Sequence, residues 1–195
     1  MSGIVGSRFN MRGSGLVGSL GTDGQVFTSS GAGAGAVFEA AAGGGKLLQV
    51  VSTAKTDTFS TDSSSFTDVT GLTVNITPAA TSSKILIIVN LVGDNDSGYS
   101  YARLMRDSTE ISIGDASNSN TRSSFGNFNV ANNSVFLTGA LTYLDSPSTT
   151  SATTYKIQAI VPSAGTFYIN YGGATGTDSG NGRSVSTITV IEVGA

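Results

Sequence analysis

From residue 46 onward the apolar residues recur at every second position. Leu72, Val74 and Ile76 alternate with Thr73, Asn75 and Thr77, and Tyr155, Ile157, Ala159 and Val161 alternate with Lys156 and Gln158. Val135, Leu137, Leu141 and Tyr143 share one parity, and Phe167, Ile169 and Tyr171 share another. A period of two puts alternate side chains on opposite faces of a strand, the pattern of half-buried strands in antiparallel sheets. β-branched and aromatic residues fill these runs, as pleated half-buried surfaces favour. No window of twelve residues carries the 3.6-residue period of an amphipathic helix.

Two runs, 84–92 and 185–193, are largely apolar at both parities. They read as strands covered on both faces, one by an opposing sheet and the other by a neighbouring subunit. Turn-forming clusters at 94–98, 145–147, 162–165 and 178–182 break the pattern. The spacing predicts strands near 47–52, 55–60, 65–69, 72–77, 84–92, 99–106, 109–113, 133–144, 153–161, 165–171 and 184–193. Many short strands with regular turns give an all-β fold, an antiparallel two-sheet jelly-roll sandwich. Such a fold has sheet edges to hide, and oligomerisation hides them.

Residues 1–45 are different. They hold 13 glycines and only four charges, Arg8, Arg12, Asp23 and Glu39. A segment this poor in apolar side chains cannot offset a backbone ordering cost of roughly 1–2 kcal/mol per residue. The division is therefore an extended Gly-rich N-terminal attachment arm, 1–45, and a β-jelly-roll domain, 46–195. The arm is expected to have no fold of its own and to take its order from sister subunits or a larger assembly, with packing against its own globular domain as the alternative. Its anchors into a partner would be Ile4, Val5, Phe9, Met11, Leu16 and Val17, with Arg8 and Arg12 available for charge-assisted bonds.

Composition excludes several chemistries. The chain has no histidine and no cysteine, so it holds no Ser-His-Asp triad, no thiol nucleophile, no imidazole or thiolate metal site and no disulfide. A net charge of -3 with 10 basic residues argues against a nucleic-acid groove. No apolar run approaches the ~20 residues of a membrane span, and the first residues do not read as a signal peptide. Gly13-Ser-Gly15-Leu-Val-Gly18 matches a dinucleotide fingerprint, but Gly18, Gly21 and Gly24 would break the helix it needs. Asp94, Asp96 and Gly98 read as a turn, because the twelfth position of a calcium loop would be Met105. Asp107 with Glu110 or Asp115 reads as solvated turn chemistry, not as a glycosidase pair. No catalytic residue, cofactor or metal is expected. Tyr99 and Tyr101, beside the 94–98 turn, and Phe125, Asn127 and Phe128, in a polar Asn/Ser-rich loop, are the candidate receptor-facing residues. The competing reading of Phe125 and Phe128 is that they pin the loop to the sandwich.

Several segments resemble a globular module of structural proteins of tailed bacteriophages, especially marine and cyanobacterial phages. They are Lys46-Leu-Leu-Gln-Val-Val51, Thr56-Asp-Thr-Phe-Ser60, Asp68-Val-Thr-Gly-Leu-Thr-Val74, Ser82-Ser-Lys-Ile-Leu86, Arg103-Leu-Met-Arg-Asp107, Tyr143-Leu-Asp-Ser-Pro147 and Ser151-Ala-Thr-Thr-Tyr155. Residues 21–31 look like the short element linking attachment segments to terminal domains in phage fibres. The resemblance implies a TNF-like jelly roll, a homotrimer, synthesis in a bacterial cytoplasm and a place on the virion surface. The expected function is a short tail fibre-type appendage. Its arm would bind other virion proteins, and its domain would meet a host-surface glycan or protein. A capsid decoration or cement protein is the alternative, and a polysaccharide-degrading tailspike the remote one.

Overall fold

The period-two runs are strands, and no helix occurs among the described residues. The computed structural model describes residues 25–29, 36–40, 46–129, 136–172 and 182–194. The chain divides into two units, Met1–Gly45 and Lys46–Ala195.

In the first unit, β1 (Gln25–Ser29) pairs antiparallel with β2 (Ala36–Ala40), with Phe27 opposite Phe38 and Thr28 opposite Val37. This hairpin departs from the expectation of an extended arm without strands. Each run carries an adjacent Val-Phe pair, and such residues favour extended backbone even between glycine tracts. A lone two-stranded hairpin is marginal in water, so the pairing supplies little independent stability.

The second unit has ten strands: β3 (Leu47–Lys55), β4 (Phe59–Thr61), β5 (Thr67–Ile76), β6 (Lys84–Asn95), β7 (Tyr101–Arg106), β8 (Thr109–Ile111), β9 (Leu137–Asp145), β10 (Thr153–Ile160), β11 (Phe167–Ile169) and β12 (Ser186–Val193). They make two antiparallel sheets. The smaller runs β5-β10-β7-β8. In the larger, β12 and β11 share one edge of β6 and β9 takes the other; Gly93 faces Ile169 on one side and Leu137 on the opposite side. β3 and β4 lie outside β12 and β11. The result is a jelly-roll-type sandwich, the fold class that the alternation required.

The core is the set of inward parities. Ile85, Ile87, Val89 and Leu91 of β6 and Ile188 and Val190 of β12 meet Leu72, Val74, Leu104, Tyr155 and Ile157 of the smaller sheet, all nearly inaccessible. Each buried aliphatic side chain contributes about 1.5–3 kcal/mol.

The two strands expected at 65–69 and 72–77 are one strand, β5. Val69 and Leu72 are both buried although they differ in parity. The pairing with β10 shifts register between Lys156 and Gln158, and Gly71 sits opposite that break at φ 81. A bulge flips the parity, so both apolar runs reach the core, and glycine accepts the left-handed turn.

Asn170, at φ 66, knits the point where β12 gives way to β11 along β6. Its side-chain amide donates to the carbonyls of Lys55 (2.7 Å) and Asp57 (2.8 Å), and its own oxygen accepts from Ser186 Oγ at 2.7 Å. Ser186 Oγ also accepts from the Val92 amide at 3.0 Å.

Candidate functional site: two unlike outer faces

Outward positions of a strand are free to be polar, so what fills them reports what they meet. On the smaller sheet they are charged and linked. Lys156 Nζ donates to Asp68 Oδ2 at 2.7 Å and Gln158 Nε2 to Asp68 Oδ1 at 2.7 Å. Arg103 Nε donates to Gln158 Oε1 at 2.9 Å and its Nη1 to Glu110 Oε2 at 2.7 Å. The guanidinium carbon lies 3.8 Å from the centroid of the Phe66 ring. The Lys156 bond holds the Asp68 carboxyl below its ordinary range, against partial burial that pushes it up. Exposed pairs of this kind add little stability, but they make a well-solvated face.

The larger sheet shows the opposite. Its register aligns outward residues in three rows across β3, β12, β6 and β9. One row is Val50, Ile191, Leu86 and Leu144; the next is Ser52, Thr189, Ile88 and Thr142; the third is Ala54, Thr187, Asn90 and Ala140. None of these twelve is charged. Val50 is 60% exposed, Leu144 55% and Ile88 42%. Ser52 Oγ and Thr189 Oγ1 lie 2.8 Å apart and satisfy each other. Lys84, at the end of β6, donates to Ser146 Oγ at 2.7 Å.

The two doubly apolar runs, 84–92 and 185–193, thus face the core at one parity and this bare surface at the other. In the first row Val50 and Leu144 are exposed and Leu86 and Ile191 between them half-buried; a contiguous apolar row of this kind suits an interaction surface better than scattered single residues do.

The candidate receptor-facing residues separate. Tyr99 is exposed and Tyr101 half-buried. Asn127 is exposed, and its side-chain oxygen accepts from the amides of Ser100 (3.1 Å) and Asn129 (3.2 Å). Phe125 and Phe128 are not receptor-facing, because both belong to the core. The Phe128 ring centroid lies 5.0 Å from that of Phe167, and a Cβ at Gly139 would strike both loop rings at 2.9 Å. Gly139 leaves room for them, and the polar loop is pinned through its phenylalanines. The attachment residues Ile4, Val5, Arg8, Phe9, Met11, Arg12, Leu16 and Val17 lie outside the described residues.

Three of the carboxylates weighed for chemistry, Asp96, Asp107 and Glu110, are held by protein partners. Asp96 accepts from the Thr166 amide at 2.8 Å and the Tyr168 hydroxyl at 3.1 Å, while Asn95 Oδ1 caps the turn by accepting from Ser97 and Gly98. Asp107 accepts from the Thr154 amide at 2.8 Å, and Glu110 is held by Arg103. Sequence reasoning missed one polar cluster altogether. Arg106 Nη1 donates to both oxygens of Asp145 at 2.7 and 2.8 Å, and the Tyr155 hydroxyl donates to Asp145 Oδ2 at 2.7 Å. This clamp ties β7 and β10 of one sheet to β9 of the other. No local pattern signals it, since its members lie on three strands.

No protein-family model matches the chain, and no curated protein matches it in sequence. Among solved structures the fold is similar to a chain in the structure of infectious bursal disease virus, Gx strain. The TM-score is 0.37 and the identity 12%, over 91% of this chain and 44% of that one. The chain therefore spans less than half the length of that viral chain.

Proposed function

We propose that this protein is a non-enzymatic structural component of a virus particle, a short tail fibre-type appendage of a tailed phage. The single observation that carries a structural role is the contrast between the two outer faces. One is laced with ion pairs and suits water; the other, uncharged and striped with aliphatic side chains, suits burial in an assembly. The phage assignment adds the sequence resemblance described above. In this reading three copies associate, residues 1–45 attach them to other virion proteins, and the jelly roll is displayed at the virion surface. Tyr99, on the rim, remains a candidate contact to a host glycan or protein, and weak contacts on several copies add through effective concentration. The alternative reading is a capsid decoration protein whose arm lies across capsomer junctions.

Two measurements test this. Full chain and a variant lacking residues 1–20 are mixed with particles depleted of the protein. The full chain is expected to be incorporated and the truncated one to fold but remain free; incorporation of both would remove the arm from the attachment role. Incubation with host envelope polysaccharide is expected to release no sugar, and turnover would establish an enzyme instead.

A further inference from the structure

One edge of the larger sheet is β9. It pairs only with β6, and no backbone hydrogen bond leaves its other edge among the described residues. Edge strands are commonly blunted by charge, proline or a bulge. From Leu137 to Leu144 this one has none: the sequence is Leu-Thr-Gly-Ala-Leu-Thr-Tyr-Leu, and its nine pairs with β6 run without a register shift. Asp145, which ends it, is turned inward to Arg106 and Tyr155. The opposite margin of the larger sheet is tied to the smaller sheet. There Thr53 Oγ1 donates to the Thr73 carbonyl and Gln49 Nε2 to the Thr77 carbonyl, each at 2.8 Å, which ties β3 to the β5 side.

β9 is also poorly covered from within. The inward residues of its neighbour β6 are fully buried, yet Leu137, Leu141 and Tyr143 are only half-buried against the core. Outward, it carries Leu144, the terminus of the apolar row. Among the described residues, the backbone edge of this strand has no partner, its inner side chains are half-buried and its outer corner is exposed.

We infer that the open edge of β9 and the apolar row it terminates form one continuous contact surface for a second copy of this chain. The inference rests on the assembly reading above and names its contact. The occupant follows from charge and area. From Leu137 to Leu144 the edge carries no charge, which favours a neutral partner, and the same chain supplies one in the uncharged rows of the larger sheet. A nine-residue strand is about 30 Å long, and the side wall of a two-layer sandwich is about 20 Å deep with its side chains. That wall offers about 600 Å² per copy, about 1,200 Å² in total, the lower end of stable specific interfaces.

The test is sedimentation of the full chain across micromolar concentrations, with Leu144→Lys, Val50→Lys and, on the ion-paired face, Asn75→Lys. All three positions are solvent-exposed in the single chain, and circular dichroism checks that each variant folds. The natural chain is expected to self-associate, Leu144→Lys to raise its dissociation constant at least about 30-fold, Val50→Lys to weaken it, and Asn75→Lys to leave it unchanged. Amides of residues 137–145 should gain hydrogen-exchange protection with concentration. A monomeric natural chain, or one that binds only a different virion protein, overturns the inference. An oligomer indifferent to Leu144→Lys also overturns it, while leaving the assembly reading intact.

Discussion

Replacing Asp145 with alanine tests the largest polar commitment in the sandwich. Asp145 is buried and accepts three hydrogen bonds, two from Arg106 and one from Tyr155, whose hydroxyl lies in a fully inaccessible site. Removing the carboxylate orphans two donors at once. An uncompensated buried charge costs about 3–5 kcal/mol. Arg106 keeps a side-chain exposure of 25%, so water reaches it, and the lower end, about 3 kcal/mol, applies to that part. The stranded hydroxyl adds about 1 kcal/mol. Tyr155→Phe is the contrasting change: it removes one donor, leaves Asp145 and Arg106 paired, and should cost about 1.5 kcal/mol. Urea unfolding followed by circular dichroism, at one protein concentration so that association cancels, reads both losses by linear extrapolation. A loss in Asp145→Ala no larger than that in Tyr155→Phe would refute the clamp. The tyrosine gives a second signature. Burial first, and then Asp145, pushes the Tyr155 hydroxyl far above its ordinary value of 10.0. Because the folded value is raised, its contribution is fully present below pH 10 and lost as pH rises beyond it. In an alkaline absorbance titration Tyr155 should therefore ionise only as the chain unfolds.

Two further changes probe the polar frame. Burial pushes the Glu192 carboxyl up, but hydrogen bonds from the Gln49 side chain and the Ala79 amide outweigh it and leave the group below its ordinary 4.5. Its stabilisation is thus present above pH 4.5 and lost as pH falls through the folded value. Glu192→Gln should cost about 1–3 kcal/mol at neutral pH and flatten the acid limb of a stability–pH curve; an unchanged limb would assign it to Asp57 and Asp68, which are also lowered. At the β11–β12 junction, Asn170→Ala loses three hydrogen bonds and strains a left-handed backbone, about 3 kcal/mol together. Asn170→Gly relieves only the strain, so it should be about 1 kcal/mol better in thermal or urea unfolding, and equal losses would show that φ 66 carries no cost.

Much of the sandwich was legible because each strand's parity is a local record of burial. Leu72, Val74 and Ile76 are written two apart and are buried two apart. The reading failed where a bulge resets the count. Val69 and Leu72 lie out of phase, so one strand looked like two until Gly71 at positive φ joined them. It also failed where polarity misleads. The loop around Phe125 and Phe128 is rich in Asn and Ser, yet its two rings enter the core because Gly139 on the facing strand leaves them space. The short hairpin of β1 and β2 was hidden by the glycine around it. The Arg106–Asp145–Tyr155 clamp was beyond reach, because it joins positions up to 49 residues apart through pairings that sequence periodicity does not specify.

What periodicity did record at 84–92 and 185–193 is the feature with the most bearing on function. The smaller sheet places Asp68, Lys156, Arg103 and Glu110 outward, so this chain puts charge on an exposed sheet face where water is the neighbour. The larger sheet, built by the same polypeptide with the same alternation, places Val50, Ile191, Leu86 and Leu144 in register there instead. Side-chain packing within one copy does not require that choice, since Ser, Thr or Lys at those positions would leave every inward residue where it is. An aliphatic row in water gains nothing from the fold of a single chain and exposes it to indiscriminate association. Its stabilisation is realised only when a second surface removes it from water, at roughly 25 cal/mol per Å² of apolar area covered. On the proposed reading the row belongs to the assembled state, and its continuation onto the edge of β9 gives the side from which a second copy would arrive.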